Sequence, residues 1–172
     1  PGLAWMLATV GHFGADKFSD YWKTLVKGGA KIASGWTEAY NTDFSAGEGK
    51  GAYPIVVSYA SSPSYTVSKD GASTTTAALL DTAFRQVEYA GVLKGAANPA
   101  GGQACINWML SKNVQADIPK KRYMCPVDSS VQLPEALAKF GPLAEKPVEV
   151  APAKIAAERE QWLKLWASAV GK

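Results

Sequence analysis

The run IVVSY at residues 55–59 constrains the fold of this chain more than any other stretch of its sequence. Consecutive β-branched apolar residues are typical of a strand that is buried on both faces, as in a parallel sheet. SSPSY follows almost at once, and there Ser62 suits the N-cap of a helix and Pro63 its first turn. The two motifs therefore predict a strand-to-helix junction, where ligands bind in parallel α/β sheets.

Helical and strand-like patterns alternate along the rest of the chain. Apolar residues at helical spacing predict helices over 3–13, over 18–27 and after Pro152. The last of these carries one apolar stripe, which we expect to pack in the core: Ile155, Trp162, Trp166 and Val170. A period of two predicts a strand with apolar positions Phe84, Val87, Tyr89 and Val92. We expect PKKRYMCPV, residues 119–127, to be extended. The alternation predicts an α/β fold with a largely parallel sheet.

Size and charge exclude several classes of protein. The chain has 172 residues, of which 47% are hydrophobic and 19% charged, so one or two globular domains are expected. The net charge of +3 is scattered, and the one tight basic cluster, Lys120–Arg122, does not predict a nucleic-acid partner. No apolar run approaches the ~20 residues of a membrane span. Because the chain opens on Pro1 rather than Met, we expect a fragment or a processed piece.

Groups that could carry catalysis are scarce. The one histidine, His12, stands at the end of a predicted helix and is more typical of a structural or solvated residue. GEGKGA, residues 47–52, lacks the Ser or Thr and the glycine spacing of a phosphate-binding P-loop. No His, Asp or Glu cluster has metal-ligand spacing. We therefore predict no catalytic residues, no metal site and no cofactor. Two cysteines, Cys105 and Cys125, could form one disulfide or remain as two buried thiols.

Aromatic residues among turn-forming residues are the strongest indication of a binding site. Trp36, Tyr59 and Tyr65 lie among Ser, Gly and Pro rather than in apolar runs. Their flat faces suit a heterocycle by stacking or an organic cation by cation–π attraction. The hydroxyl of Ser62, with the open N–H groups of the helix predicted to begin there, suits an anion such as phosphate.

Five motifs in order along the chain resemble the thiamine-binding periplasmic proteins of bacterial ABC importers. They are SGWTEAY, VVSYASSPSY, FRQVEYAGVLKGA, IPKKRYMCPV and APAKIAAEREQWLKLWASAV. The resemblance implies a type II periplasmic-binding-protein-like fold, of which the chain would be the C-terminal half. It also implies a layout: 1–83 as a second-lobe α/β segment, 84–133 as a hinge strand with a returning first-lobe segment, and 134–172 as helices packing on the second lobe.

The same resemblance implies a function. The protein would bind thiamine or its phosphate esters in a cleft between lobes and deliver them to the membrane permease of an ABC importer. It would work in the periplasm, or outside the cell anchored to a membrane, and it would not be an enzyme.

The resemblance also assigns individual residues. The ligand-binding aromatics of the family fall on Trp36, Tyr59 and Tyr65, and a fourth position, usually Trp, falls on Tyr123. Cys105 and Cys125 would lie in one lobe, and in an oxidising compartment a disulfide between them becomes the better interpretation.

Other functions remain open at this stage. A related binding protein for ferric ion would need two adjacent tyrosines, but the sequence reads Tyr123-Met124. A protein of the same fold for phosphonate or polyamine is a further alternative. A hydrolase using Ser61 or Ser62 would need His12 as its base. An interaction module could present Trp162 and Trp166 to a partner.

Overall fold

Six α-helices dominate the computed structural model, which describes all residues 1–172. They are α1 (Gly2–Phe13), α2 (Phe18–Lys27), α3 (Pro99–Met109), α4 (Lys112–Arg122), α5 (Glu135–Phe140) and α6 (Pro152–Val170). A π-helix spans Glu38–Asp43, and two 3-10 helices span Ser62–Tyr65 and Leu80–Thr82.

The chain divides into two compact units. Unit 1 contains Pro1–Tyr59, Leu79–Gln86 and Ala144–Lys172. Unit 2 contains Ala60–Ala78 and Val87–Leu143. The division into lobes expected from the family resemblance stays a prediction.

Unit 1 is built around α1, α2 and α6, all three of which the sequence predicted. Its core is a cluster of buried apolar side chains: Met6, Leu7, Val10, Phe18, Trp22 and Trp162. The other residues of the predicted α6 stripe, Ile155, Trp166 and Val170, pack against this cluster. The expectation that the stripe serves the core is therefore confirmed. One polar link joins α1 to α2, because Trp22 Nε1 donates to Thr9 Oγ1 over 2.9 Å.

Unit 2 buries far less apolar surface. Val131 and Leu137 are its buried aliphatic residues, and α5 packs against the 3-10 helix Ser62–Tyr65. Helix α3 has no buried residue at all. The side chain of Gln115, in contrast, is buried and accepts a hydrogen bond from Val127 N while donating to Met109 O. Hydrogen bonds of a buried side chain therefore join α4 to the segments around it in a unit with few buried apolar residues.

The predicted α/β fold with a parallel sheet is wrong for this structure. No sheet is present, and β-pairing is limited to three isolated bridges: Phe44 with Tyr53, Val67 with Thr74, and Phe84 with Val148. The same prediction included a lobe like those of type II periplasmic binding proteins, and the helical structure contradicts it.

The two predicted strands explain the error. Ile55 in IVVSY is 74% exposed, and Tyr89 in the second run is 90% exposed. Neither run forms a ladder, and only Phe84 makes a bridge. Side-chain alternation reports which faces of a segment are apolar, whereas a strand also needs a second segment that supplies backbone hydrogen bonds.

The segment predicted to be extended from Pro119 onward is also partly helical. Helix α4 continues through Pro119 to Arg122, although a proline inside a helix removes one backbone hydrogen bond. Pro119 is among the most deeply buried residues of the chain, and burial of its ring offsets part of that cost. No helix in the structure is both long enough and apolar enough to span a membrane.

Candidate functional site

Two of the predicted ligand-binding residues lie side by side in unit 1. The rings of Trp36 and Tyr59 are 6.3 Å apart between centroids and tilted by 51°. Trp36 also stacks on Tyr40, with a centroid distance of 4.8 Å and an angle of 14° between the planes. We call Trp36, Tyr40 and Tyr59 the Trp36 group. Trp36 and Tyr59 remain 36% and 39% exposed, so each keeps ring surface that a ligand can reach.

The polar edge of the indole already has a partner. Trp36 Nε1 donates to Ser58 Oγ over 2.9 Å, and this bond uses the only hydrogen-bond donor of the side chain. What Trp36 can offer to a ligand is therefore its ring face.

An ion cluster holds the segment that carries Trp36 and Tyr40. Lys31 Nζ lies 2.7 Å from Glu38 Oε1 and 2.7 Å from Asp43 Oδ2. Glu38 Oε2 also accepts hydrogen bonds from the backbone N and the hydroxyl of Ser34. Hydrogen bonds from Lys31 and Ser34 lower the pKa of Glu38 to about 2, and bonds to Asp43 and Glu38 raise the pKa of Lys31. Glu38 and Lys31 are therefore both charged throughout the neutral range.

A glycine-rich loop closes around the π-helix Glu38–Asp43. A Cβ added to Gly47 would lie 2.1 Å from the carbonyl oxygen of Tyr40, and one added to Gly51 would lie 2.0 Å from that of Asp43. Gly49 N also donates to Asn41 O over 2.7 Å. The sequence indicates only that this run is not a P-loop, whereas in the structure its glycines permit close backbone packing against the helix.

The other two predicted aromatic residues lie together in unit 2. The rings of Tyr65 and Tyr123 meet edge to face, 4.6 Å apart at 89°. Tyr65 Oη donates to the carbonyl oxygen of Pro119 over 2.9 Å. Partial burial raises the pKa of Tyr65, so its phenol stays protonated at neutral pH. We call Tyr65 and Tyr123 the Tyr65 pair.

The Tyr65 pair depends on an unusual backbone conformation. Tyr123 caps the C-terminus of α4 with φ 59° and ψ 26°, in the left-handed region that non-glycine residues rarely adopt. Ser61 Oγ donates to the carbonyl oxygen of Tyr123 over 2.8 Å and fixes this peptide. Such conformations cost ~1 kcal/mol or more and are found preferentially at functional sites.

Ser62 occupies a different position from the one predicted. It begins the 3-10 helix Ser62–Tyr65, and the cap position belongs to Ser61. The expected α-helix is not formed, because the chain turns after Tyr65 and Thr66 bonds instead to Thr74 and Thr76. The role of Ser62 as a ligand-binding residue stays a prediction.

The residues of the hydrolase alternative have other roles in the structure. The hydroxyl of Ser61 donates to a carbonyl group, whereas a serine nucleophile needs its hydroxyl to be activated by a base. The ring of His12, in the last turn of α1, packs edge-on against Phe13 at 4.6 Å.

The predicted disulfide is not formed in this structure. Cys105 is exposed on α3, where it lines an apolar groove of about 470 Å³ together with residues 90–96. Cys125 is half-buried after α4 and is not among the residues of that groove. The pairing of Cys105 with Cys125 stays a prediction for the protein in an oxidising compartment.

Several functional contacts were missed by sequence reasoning. Tyr40, Ser58 and Ser61 each touch a predicted ligand-binding residue. Only the spacing of four between Trp36 and Tyr40 could have indicated the first contact. The other two join segments that are distant in sequence, and no local pattern encodes them.

Several curated proteins similar to this chain are named thiamine-binding periplasmic protein. This chain is 31% identical over 173 residues to the thiamine-binding periplasmic protein of Escherichia coli strain K12. It is 30% identical over 176 residues to the protein of that name from Salmonella typhimurium, and 30% identical over 175 residues to that from Brucella melitensis biotype 1.

Each of these alignments covers 100% of this chain and 50% of the relative, so the chain spans about half the length of the curated relatives it matches. No protein-family model and no solved structure matches the chain. The family resemblance that the five motifs indicated is confirmed, and it extends over the whole length of the chain.

Proposed function

We propose that this chain serves in the solute-binding component of an ABC importer for thiamine or its phosphate esters. The observation that carries the proposal is the similarity of the entire chain to several proteins that are named thiamine-binding periplasmic protein. In this proposal the protein works in the periplasm or anchored outside the membrane, and it delivers its ligand to the membrane permease. It binds and releases without making or breaking a covalent bond.

The chemistry of thiamine matches the side chains that we propose to bind it. Thiamine combines a flat aminopyrimidine ring with a positively charged thiazolium ring. Such rings bind to exposed aromatic faces by stacking and by cation–π attraction, which contribute about 0.5–2 kcal/mol each. We assign this role to Trp36 and Tyr59 in unit 1 and to Tyr65 and Tyr123 in unit 2. The hydroxyl of Ser62 would donate to a hydroxyl or phosphate group of the ligand.

The chemistry of the Tyr65 pair disfavours the ferric-ion alternative. A tyrosine that binds ferric ion does so as a phenolate, whereas burial raises the pKa of Tyr65 and its hydroxyl donates to a carbonyl oxygen. The residue after Tyr123 is Met124, which supplies no second phenol. A neutral aromatic ligand or an organic cation fits these groups better than a metal ion.

Calorimetric titration tests the proposal directly. It uses the complete natural protein that contains these 172 residues, because the relatives are about twice as long. We expect thiamine or one of its phosphate esters to bind in the submicromolar range, corresponding to roughly −8 kcal/mol or better. Binding of ferric ion, a phosphonate or a polyamine, with no heat from any thiamine species at millimolar concentration, would contradict the proposal.

A further inference from the structure

Three aromatic rings, those of Trp36, Tyr40 and Phe44, form a column that runs from the surface into unit 1. Trp36, Tyr40 and Phe44 are spaced by four residues, and the rings of Tyr40 and Phe44 lie 5.6 Å apart at 40°. Phe44 is buried, Tyr40 is half-buried and Trp36 is exposed at the end of the column. Tyr40 therefore connects the exposed indole to the interior of unit 1.

The π-helix explains why these three rings line up. In an α-helix, residues four apart are neighbours but drift steadily around the axis. The wider π turn, in which Phe44 N donates to Ala39 O, changes this rotation between Tyr40 and Phe44. Single π turns of this kind occur frequently at functional sites.

Independent contacts make the column rigid at its base. Lys31 bridges Glu38 and Asp43, which stand at the two ends of the π-helix. The close approach of Gly47 to the Tyr40 carbonyl and of Gly51 to the Asp43 carbonyl leaves little space for the helix to move. The ring of Tyr40 is thereby presented as a fixed surface.

We propose that Tyr40 is a positioning residue that sets the ring of Trp36 for ligand binding. Its own ring covers one face of the indole, while the bond from Nε1 to Ser58 fixes the rotation of the ring in its plane. Trp36 then offers a ligand the part of its ring surface that stays exposed, and no hydrogen-bond donor. It therefore favours a flat or cationic ring and does not recognise the polar groups of that ring. The inference rests on the proposed function, since it concerns the same ligand.

Three variants of the complete natural protein test this role by calorimetry with thiamine. We expect Tyr40→Leu to weaken binding by about threefold to tenfold, because a stacked aromatic neighbour is lost. Tyr40→Phe keeps the flat ring and should bind within about twofold of wild type. Tyr21→Leu is the matched control, because Tyr21 stacks on Phe13 at 4.6 Å in the same unit but does not touch the Trp36 group.

Two further readouts separate positioning from a loss of folding. The near-ultraviolet circular dichroism of the ligand-free protein should change in Tyr40→Leu and be restored in Tyr40→Phe, since it reports the coupling of the stacked rings. Ser58→Ala removes the other restraint on Trp36 without touching the column, and it should weaken binding by about twofold to tenfold. This variant keeps the inference testable if Tyr40→Leu does not fold.

The outcomes distinguish the inference from the function on which it rests. If wild type binds thiamine and both Tyr40→Leu and Ser58→Ala bind equally well, the positioning role is wrong and the proposed function stands. If Tyr40→Phe is as weak as Tyr40→Leu, the hydroxyl rather than the ring is responsible, and the inference is wrong. If wild type binds no thiamine species, the proposed function is wrong and the inference falls with it.

Discussion

Tyr123 has the most informative backbone among the residues proposed to bind the ligand. Only two non-glycine residues have positive φ, Lys50 at 48° and Tyr123 at 59°. Lys50 lies in the glycine-rich loop, where no ring contact depends on it. Tyr123, in contrast, supports the Tyr65 pair, and a hydrogen bond from Ser61 stabilises its carbonyl group. Tyr123 thus combines a strained backbone conformation with a ring that a ligand can reach.

Replacing each of these two residues by glycine separates strain from function. We expect Lys50→Gly to raise the free energy of unfolding by about 0.5 kcal/mol, because relief of left-handed strain exceeds the entropic cost of glycine. Tyr123→Gly gains the same relief but loses the contact with Tyr65, worth about 0.5–1.5 kcal/mol, so its stability should not rise. Urea unfolding measures both changes. Thiamine affinity should fall only in Tyr123→Gly, and equal affinity in the two variants would contradict the role of Tyr123.

Part of the candidate site was predictable residue by residue. Trp36 and Tyr59 do lie together, as do Tyr65 and Tyr123, and all four keep exposed ring surface. The grouping of Trp36, Tyr59 and Tyr65 among turn-forming residues was a local signal that the sequence contains, whereas Tyr123 was indicated only by the family resemblance. The contacts that orient them, from Ser58 and Ser61, join residues 22 and 62 positions apart, and such pairing has no local signature.

At the scale of elements, helices α1, α2 and α6 were predicted correctly, whereas the α-helix expected from Ser62 and the two expected strands are not formed. Helices α1, α2 and α6 need only one apolar stripe each, and their hydrogen bonds form within the helix itself. A strand needs a partner segment, and the apolar runs around Ile55 and Val87 have none in this chain. Pro119 was predicted to begin an extended segment, yet α4 includes it, and its ring is buried in unit 2.

The glycine-rich loop, residues 47–52, packs against the π-helix in a way that no sequence pattern predicted. Gly51→Ala would place a methyl group against the backbone of Asp43, and backbone atoms cannot give way as a flexible side chain can. We expect this variant to lower the free energy of unfolding by about 1–3 kcal/mol and to weaken thiamine binding, because the π-helix would shift. Gly2→Ala is the matched control, since nothing lies within 4 Å of the added methyl group. Equal unfolding midpoints in urea for the two variants would contradict this role of the loop.

At the scale of the whole molecule, the two units differ in what stabilises them. Unit 1 has a cluster of buried aromatic and aliphatic side chains, whereas unit 2 has few buried apolar residues and an α3 with none. Of the aromatic residues proposed to bind the ligand, Trp36 and Tyr59 lie in unit 1, and Tyr65 and Tyr123 lie in unit 2. The similarity to the relatives is continuous over both units, since it covers the entire chain.

The central claim is that thiamine binds through the exposed face of Trp36, and one comparison tests it most directly. Calorimetry of the complete natural protein should show Trp36→Ala binding thiamine about twofold to thirtyfold more weakly than wild type, as expected for one stacking or cation–π contact. Trp108→Ala should bind as wild type does, because Trp108 is 64% exposed, more than Trp36, but lies on α3, outside both aromatic groups. Equal affinity of Trp36→Ala and Trp108→Ala would contradict the account.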